Sequence, residues 1–502
     1  MRRHLPITDA PCCAWTVDEF PPPVASSGKD NTIPCAAGHH LMEGRWLRNQ
    51  TFLDSYSRFW WHGGGNPRAY TFWAASAIYE RYTVTGGVDL VRELFPDLVH
   101  NYQQWKATHF SQEYDCMWQA ADRDGEENSI GGDGCRPTLN SVMFGEARAL
   151  AAMAVVLGDT ASAETFEAEA ARWQRVVGTL WSPSREFFVT RAVPRPQAAA
   201  DELKEKGGRQ GGEEGHEGES KSSAAADRRA SRGGACPPQW KEGQLVTSRE
   251  IQGLSSPWYF SVPSQTNASL YARGWARAFA ADGLAAAWGP RTAELSDPCY
   301  NYSVSHECNW NGPSWPFETS KLITGGINFL NEYGSAAGAP GALDAAGLWA
   351  LLSQYARAHT SVLAVNATAW LLPGTGRSWI GEDFHPDEGY WLARSVMYRG
   401  GSHHNERNRG NNYNHSTFVD LVLQLLGLRP GAGRTLVVNP LLPEASGVAF
   451  FAVDGLRIKD RDVTIAFDRS GARYGLGAGL HVLVDGKLVA SAKGLEKLVV
   501  QL

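Results

Sequence analysis

The feature that most restricts the fold of this chain is a long succession of helix-forming segments, separated by loops, that begins near residue 44. In most segments apolar residues recur at intervals of three and four positions, the spacing of one face of an α-helix. Thr160 follows a Gly-Asp turn and is placed to cap the next helix. Consecutive helices joined by short turns predict helical hairpins and a mainly α fold. The predicted helices cover residues 88–106 (with a kink or break at Pro96), 139–157, 160–181, 265–282, 314–333, 342–358 and 415–427.

The periodicity changes after Pro430. The segments VTIAF (463–467) and LHVLV (480–484) alternate or are rich in β-branched residues, which is typical of strands. The sequence VDGK at 484–487 is a turn signal for a hairpin. Residues from about 433 to 502 are therefore predicted to form a small C-terminal β-domain.

Two stretches fall outside these regular elements. Residues 1–43 contain PPP at 21–23 and several Ser, Gly and Lys residues, and we expect them to be an irregular leader. Residues from about 194 to 245 contain almost no large apolar side chains, so they bury too little surface to offset the entropy of ordering. They are predicted to be a disordered insertion within a helical domain that spans residues 44–432.

Composition and charge exclude several classes of protein. The net charge is −6, which gives no electrostatic reason to expect a nucleic-acid partner. No apolar run reaches the roughly 18–20 residues of a membrane span, and the eight cysteines form no CxxC pair of a zinc site. We therefore expect no nucleic acid, no membrane span and no metal. No signal peptide is visible, whereas five N-x-S/T sequons occur, so the cytoplasmic and secretory compartments both stay open.

The aromatic residues are numerous, and some lie in polar loops. The chain contains 19 Trp, 16 Tyr and 19 Phe residues. A large core explains part of this content, because Trp buries much apolar area. A sugar-binding cleft is the other explanation, since the C–H faces of a pyranose ring stack on indole. In residues 308–320, Trp310 and Trp315 flank a polar Asn-Gly-Pro-Ser turn, which favours a binding platform over a core position.

Three further loops carry titratable side chains. Residues 121–141 are rich in acids and are compatible with a solvated loop, a calcium loop or a catalytic acid, although the spacing is not that of an EF-hand. Residues 378–394 place Glu382 among aromatic side chains, an environment that tunes the pKa of a carboxyl group; a surface loop with buried anchors is the alternative. Residues 400–418 contain three irregularly spaced histidines, including His415, which favours hydrogen bonding to sugar hydroxyls over metal binding.

Taken in order, these motifs resemble a known family. GEENSIGG, CRPTLNS, WNGPSWPFETS, WIGEDFHPDEGYW, and YNHSTFVDLV with GLRP resemble glycosidases of the mannosylglycerate hydrolase-like group, which is related to glycoside hydrolase family 63. The resemblance covers residues 44–192 and 246–502. It implies an (α/α)6 toroid of helical hairpins, no organic cofactor, and hydrolysis with inversion. The implied substrate is an oligosaccharide or small glycoside, α-linked and gluco- or manno-configured.

The resemblance also implies roles for individual residues. The family's general acid lies in a Gly-x-(Asp/Glu)-Asn-Ser turn, which residues 125–129 match, so Glu127 takes the acid role. Many relatives have Asp at this position, and Asp124 is therefore an alternative acid. The family's general base is a Glu after a Trp in the late loop, a position that Glu382 matches. The residues expected to line the cleft are Trp310, Trp315, Arg136, Asn140, Tyr390, Trp391 and His415.

Two alternatives come from other functional classes. Relatives carry further segments before the position equivalent to residue 44, and fewer helices are predicted than six hairpins require. Glu127 is also the less common type of acid at its position. Because of these departures, the chain can also be interpreted as a catalytically inactive carbohydrate-binding relative. The third interpretation is a polysaccharide lyase of the helical-toroid type, because lyases use Tyr, His and Arg groups and Tyr413 lies close to His415 in sequence.

Overall fold

The computed structural model describes residues 32–201, 236, 240–301, 309–361, 381–392 and 415–502, with the backbone of the paired strands β1 (Arg2–Arg3) and β2 (Trp15–Thr16). Within these residues the chain is mainly helical and ends in a region of β-strands, as the sequence predicts. The helices are α1 (Pro34–Gly44), α2 (Thr51–His62), α3 (Ala74–Thr85), α4 (Val88–His109), α5 (Pro137–Leu157), α6 (Thr160–Gly178), α7 (Gln252–Tyr259), α8 (Ala268–Tyr271), α9 (Ala276–Phe279), α10 (Pro316–Glu332), α11 (Ala345–Ser361) and α12 (Val419–Leu425).

Six of these helices contact one another in a closed cycle. Helix α1 packs on α3, α3 on α5, α5 on α7, α7 on α10, and α10 on α12, which returns to α1. The other long helices pack against members of this cycle: α2 on α1, α4 on α3 and α5, α6 on α5, and α11 on α10. Helices α5 and α10 are buried around most of their circumference, because they have neighbours on several sides.

The N-terminal part of the helical region differs from the sequence prediction. Residues 34–44, which were expected to belong to an irregular leader, form helix α1. Pro34 lies in its first turn, where the missing N–H costs no hydrogen bond. The Leu41 side chain is completely buried. The short, Ala- and His-containing sequence gives only a weak helical pattern, and packing against α3 stabilises the helix.

One helix start and one whole predicted helix also differ from the sequence prediction. Asp159, rather than Thr160, is the N-cap of α6, since its carboxylate accepts a hydrogen bond from the Ser162 N–H at 3.0 Å. Helix α4 continues through Pro96 without ending there. Residues 265–282 contain the short helices α8 and α9 joined by a 3-10 turn instead of one helix.

The C-terminal region contains two antiparallel sheets. The strands of this region are β8 (Leu428–Pro430), β9 (Thr435–Val438), β10 (Phe450–Ile458), β11 (Arg461–Asp468), β12 (Gly479–Val484), β13 (Lys487–Ala492) and β14 (Leu498–Gln501). Strands β10, β11, β12 and β13 form a four-stranded meander, and β14, β9 and β8 form a three-stranded sheet. The predicted hairpin is confirmed, because Asp485 and Gly486 both have positive φ and Val484 pairs with Lys487. The short strands that lie between the helices are β3 (Phe110–Ser111), β4 (Cys116–Gln119), β5 (Gly134–Cys135), β6 (Trp181–Ser182) and β7 (Phe187–Phe188).

The β-region is attached to the helical region through a shared apolar core. Trp46 and Val84, from the helical region, pack with buried strand residues such as Leu436 and Val482. The first strand, β8, begins at Leu428, a few residues before the predicted boundary at 433. The sheets therefore follow α12 almost directly.

Helix α5 is, among the described residues, the one helix that is long and apolar enough to cross a membrane. In this structure 78% of its apolar window is buried inside the protein, and a core helix passes the same test of length and composition. The helix is therefore weak evidence for a membrane span and does not contradict the prediction of none.

Most of the predicted insertion, residues 202–235 and 237–239, lies outside the described residues. The described residues near its ends are packed against the fold. The Val246 N–H donates to the Thr190 carbonyl at 2.9 Å, and the Ala192 N–H donates to the Gln244 carbonyl at 2.9 Å. A disulfide also joins Cys236 to Cys299.

Candidate active site

Most of the acidic segment predicted from the sequence forms one loop, residues 120–133, which we call the acidic turn. The two ends of this loop are held together. It connects β4 (Cys116–Gln119) to β5 (Gly134–Cys135), which pair antiparallel and are joined by a disulfide between Cys116 and Cys135. Gly125 and Asn128 adopt left-handed backbone conformations, with φ of 77° and 62°. Glycine and asparagine enter this conformation at low steric cost. Glu127 lies between them, so its backbone is set by the turn.

The Glu127 carboxyl group is desolvated by its surroundings. Burial raises the pKa of Glu127 to about 8, and repulsion from the carboxylates of Asp122 and Glu382 adds to the increase. Interactions with its own backbone and with the Trp310 side chain act in the opposite direction without cancelling the effect. A carboxyl group with this pKa is protonated at neutral pH and can donate a proton. The effect of Glu382 indicates that the two carboxyl groups, far apart in sequence, face the same site.

Arg136 organises the rest of the turn from the start of α5. Its Nε donates to Asp124 Oδ2 at 2.6 Å, and its Nη2 pairs with Glu126. Its Nη1 donates to Ser129 Oγ at 3.2 Å and to the Gly132 carbonyl at 2.6 Å. The side chain is completely buried, with all three nitrogens in hydrogen bonds to the protein. The substrate contact that the sequence predicted for Arg136 does not agree with this placement, and we assign it to loop support.

Asp124, the alternative acid, is part of this buried network. One of its carboxylate oxygens accepts from Arg136, and the other accepts from the Thr71 hydroxyl at 2.6 Å. The residue is 1% exposed. Because both oxygens are engaged by the protein, the geometry favours Glu127 over Asp124 as a proton donor to a substrate.

Residues 309–315, which precede α10 and which we call the tryptophan loop, are hydrogen-bonded to the acidic turn. The backbone N–H of Trp310 donates to the backbone carbonyl of Glu127 at 3.0 Å, and Asn128 Nδ2 donates to Asn309 Oδ1 at 3.0 Å. The Trp310 and Trp315 rings stack with centroids 4.3 Å apart, and Trp315 Nε1 donates to the Asn309 carbonyl at 2.8 Å. Both rings are nearly buried, at 2% and 4% exposure. They form an apolar wall beside the acidic turn, and direct stacking on a sugar stays a prediction.

The loop at 381–392 is attached to the other end of the same segment. Phe384 and Ser314 exchange two backbone hydrogen bonds, each of 3.0 Å. Residues 309–315 are therefore bonded to the acidic turn through Trp310 and to the late loop through Ser314. This shared support brings Glu382 to the site of the acidic turn.

Glu382 lies beside a histidine from the end of the helical region. Its Oε1 lies 3.4 Å from His415 Nε2, and the two side chains are 14% and 11% exposed. His415 has a positive φ of 55°, a conformation in which histidine is enriched among residues other than glycine. The sequence predicted both residues for the site, and the structure brings them together.

Helix α1 adds two histidines that the sequence analysis missed. Burial lowers the pKa of His40 to about 3, and electrostatic interaction with His415 adds to the decrease. Burial also lowers the pKa of His39 well below its usual value, with a further effect from His415. His40 Nδ1 lies 3.0 Å from the Tyr56 hydroxyl. The adjacent His-His pair was the available signal, but it fell in a segment that was interpreted as irregular.

Other predicted cleft residues have supporting positions. The fully buried Asn140 amide bonds to the N–H and the carbonyl of Met117, each at 2.9 Å, so its predicted sugar contact does not agree with the structure. Trp391 packs edge-on against Phe384 at 5.3 Å and is 6% exposed. Tyr390 is partly exposed. The residues Trp379, Ile380, His403, His404 and Tyr413 lie outside the described part of the chain.

The described residues of the site provide acid–base groups rather than an evident metal site. Burial raises the pKa of Glu127 so that its carboxyl group is protonated at neutral pH, and the charge of the nearby Glu382 adds to this increase. Within the residues that the structure describes, no group of three or more His, Cys, Asp or Glu side chains is arranged to hold a metal ion. The arrangement can donate a proton on one side of a bond and accept one on another.

Comparison with solved structures finds similar chains at different levels of identity. A structure named "Sialidase" is 29% identical over 98% of this chain with a TM-score of 0.77, and this chain spans 39% of its length. The GH78 family rhamnosidase of Bacillus sp. GL1 is 11% identical, with 90% of this chain and 37% of that chain covered and a TM-score of 0.50, so it shares the fold. The GH63 mannosylglycerate hydrolase of Thermus thermophilus, in complex with glucose, is 13% identical over 76% of this chain and 96% of that chain, with a TM-score of 0.45.

Comparison with protein families covers most of the chain. Residues 29–416 match the sequence model of the mannosylglycerate hydrolase MGH1-like glycoside hydrolase domain. The match includes α1, the acidic turn, the tryptophan loop and both candidate carboxyl groups. The family predicted from the ordered motifs is therefore confirmed, and the chain belongs to the mannosylglycerate hydrolase MGH1-like glycoside hydrolase family.

Proposed function

We propose that the protein hydrolyses a glycosidic bond in one displacement, with inversion at the anomeric carbon. The observation that carries the proposal is the common attachment of two carboxyl-bearing loops to residues 309–315. One loop presents Glu127, whose pKa is raised to about 8 by burial, and the other presents Glu382. Two carboxyl groups at one site, one of them protonated, are what general acid–base hydrolysis of a glycoside requires.

In this mechanism Glu127 is the general acid. Its proton passes to the glycosidic oxygen as the bond from that oxygen to the anomeric carbon breaks, so the leaving group departs as a neutral alcohol. The backbone bond from Trp310 to the Glu127 carbonyl fixes the residue in the turn. Asp124 is held by Arg136 and takes no proton-transfer role in the proposal.

Glu382 is the general base of the proposal. It accepts a proton from a water molecule, whose oxygen attacks the anomeric carbon from the face opposite to the leaving group. Inverting enzymes separate the two carboxyl groups by about 6.5–9.5 Å so that this water fits between them. The nearby His415 Nε2, at 3.4 Å, orients the Glu382 carboxyl group.

The fold we infer around this site is an (α/α)6 toroid. Its support is the closed cycle of α1, α3, α5, α7, α10 and α12, with α2, α4, α6 and α11 packed against members of the cycle. In a toroid of hairpins the loops at one end of the inner helices converge. The acidic turn precedes α5 and the tryptophan loop precedes α10, which are both members of the cycle.

The proposed substrate is an α-linked gluco- or manno-configured glycoside, as the family resemblance implies. The test is incubation with a panel of 4-nitrophenyl α-glucoside, α-mannoside and α-rhamnoside, and a 4-methylumbelliferyl sialoside, the last because of the similar structure named "Sialidase". Proton NMR of the first-formed product reports the sugar and the anomer together. Release of the β-anomer from an α-glycoside supports the proposal, whereas the α-anomer contradicts inversion.

The principal alternative is a catalytically inactive carbohydrate-binding relative. Calorimetric binding of a panel sugar without turnover by the wild-type protein would favour it. An unsaturated product, detected by ultraviolet absorbance, would instead indicate a lyase. Loss of turnover in both Glu127→Gln and Glu382→Gln, with unchanged circular dichroism, is the result expected for the hydrolase.

A further inference from the structure

The turn that carries Glu127 is held on its far side by a glutamate from another part of the chain. Glu250 Oε1 accepts hydrogen bonds from Ser129 Oγ at 2.7 Å and from the Ile130 N–H at 2.6 Å. Glu250 Oε2 accepts from the Gly131 N–H at 3.1 Å and from Gln252 Nε2 at 3.0 Å. One carboxylate therefore receives four hydrogen bonds, three of them from consecutive residues of the acidic turn.

We propose that Glu250 is a positioning residue for Glu127. The proposal rests on the role of Glu127 proposed above and extends it to a residue that neither contacts the reacting bond nor belongs to the sequence motifs. Glu250 lies just before α7, a helix of the closed cycle, and its backbone pairs with Ala293. The helical scaffold thus fixes the position of Glu250, and the hydrogen bonds that Glu250 accepts fix the position of the turn.

The two sides of Glu127 are held by different charged groups. On one side Glu126 pairs with Arg136, and on the other Glu250 binds the backbone of residues 130 and 131. Ser129 links the two, because its hydroxyl accepts from Arg136 Nη1 and donates to Glu250. Glu127 itself is left out of this network, so its carboxyl group is available for chemistry while its backbone cannot shift.

Steric fit agrees with this role. Glu250 is 4% exposed and Ile130 is 2% exposed, so water cannot readily replace the carboxylate as the acceptor for these N–H groups. A Cβ atom at Gly131 would lie 2.5 Å from Glu250 Oε2, so the close approach of the carboxylate requires glycine at that position. Burial raises the pKa of Glu250, and the positive charge of Arg136 opposes this effect.

The chain offers a matched control for a buried glutamate that binds backbone N–H groups. Glu146 accepts from the N–H groups of Ala75 at 3.0 Å and Ser76 at 2.8 Å, at the start of α3. It is 5% exposed and makes no hydrogen bond to the acidic turn in the described structure. Glu250→Gln and Glu146→Gln therefore each remove a buried carboxylate that binds two backbone N–H groups, but only Glu250→Gln removes it from the acidic turn.

The direct test is a titration that requires no substrate. The full chain is labelled with 13C at the glutamate carboxyl carbon, and the Glu127 resonance is identified by its loss in Glu127→Gln. In wild type this resonance is expected to titrate near pH 8. In Glu250→Gln the loosened turn admits water, and the titration moves down by about one pH unit or more. Glu146→Gln is expected to keep the wild-type titration.

An unchanged Glu127 titration in folded Glu250→Gln overturns the proposal, and so does an equal shift in Glu146→Gln. If Glu250→Gln does not fold, Glu250→Asp replaces it, because the shorter side chain keeps the charge but draws the carboxylate back from the N–H groups of residues 130 and 131. A downward shift in Glu250→Asp then supports the proposal, and a wild-type titration contradicts it. Since the readout is independent of turnover, an inactive wild-type protein would contradict the proposed function without contradicting the positioning role.

A second measurement becomes possible once the panel identifies a glycoside that the protein hydrolyses. Its 2,4-dinitrophenyl glycoside needs little protonation of the leaving group, whereas its methyl glycoside needs full protonation. A misplaced acid is therefore expected to lower kcat/KM for the methyl glycoside at least about 10-fold more than for the dinitrophenyl glycoside. Equal losses on the two substrates would contradict positioning of the acid.

Discussion

His415 Nε2 lies 3.4 Å from Glu382 Oε1, and the histidine backbone is held in a left-handed conformation at that point. The contact joins the loop at 381–392 to the segment that enters α12. Glu43 holds this segment in turn, since its carboxylate accepts from the backbone N–H groups of Phe418, Val419 and Asp420. The orientation of the proposed base therefore depends on α1 and α12 together.

The first prediction concerns this contact. His415→Ala is expected to lower kcat by roughly 10- to 100-fold with little change in KM, because a hydrogen bond to a charged group contributes about 1.5–3 kcal/mol. Steady-state kinetics on the substrate identified by NMR measures both constants. His415→Asn, which keeps a donor and tolerates positive φ, is expected to recover part of the loss. A rise in KM at constant kcat would instead indicate that His415 binds the substrate.

The second prediction separates Glu127 from Asp124. Glu127→Gln is expected to lower turnover by a factor of about 100 or more and to raise the free energy of unfolding at pH 7, because the wild-type side chain must take up a proton on folding at this pH and the amide need not. Asp124→Asn is expected to lower the free energy of unfolding by roughly 1.5–3 kcal/mol, because its amide cannot accept from both Arg136 and Thr71. Urea denaturation and kinetics on both variants measure this contrast. The reverse pattern would make Asp124 the acid.

The third prediction is a pH dependence. The pKa of Glu127 is raised from 4.5 to about 8, so the acid is protonated below pH 8 and kcat/KM is expected to fall as the pH rises through that value. The folded state also binds this proton more tightly than the unfolded state. The free energy of unfolding should consequently decrease between pH 4.5 and 8, and Glu127→Gln should remove that part of the slope. If kcat/KM already fell with rising pH well below pH 7, the assignment of Glu127 as the acid would be contradicted.

The fourth prediction concerns the stability of the acidic turn. Arg136→Met leaves the carboxylates of Asp124 and Glu126 buried without their cation, and it is expected to cost about 3–5 kcal/mol of unfolding free energy. Arg48→Met is the control, because the pair of Arg48 with Asp462 is largely exposed and is worth at most about 1 kcal/mol. Chemical denaturation of both variants at pH 7 measures the difference. Equal effects would contradict a structural role for Arg136.

The local patterns of the sequence predicted much of the helical and strand content. Periodicity located α5, α6 and α10 to within a few residues, and the Asp-Gly turn located the hairpin between β12 and β13. These signals are local, since a helix or hairpin is decided by residues a few positions apart. Helix α1 was missed for the same reason, because its stability comes from packing on α3 and α12 rather than from its own pattern.

The sequence by itself therefore determined the family, the succession of helices followed by strands, and the two glutamates proposed as acid and base. The tertiary structure decided which polar residues of the motifs are buried supports, as it did for Arg136 and Asn140, and it added Glu250 as a residue that binds the acidic turn. The physical reason is that burial and long-range hydrogen bonds depend on how distant segments pack. A motif specifies the type of a side chain, whereas its exposure and its partners follow from the closure of the helical cycle.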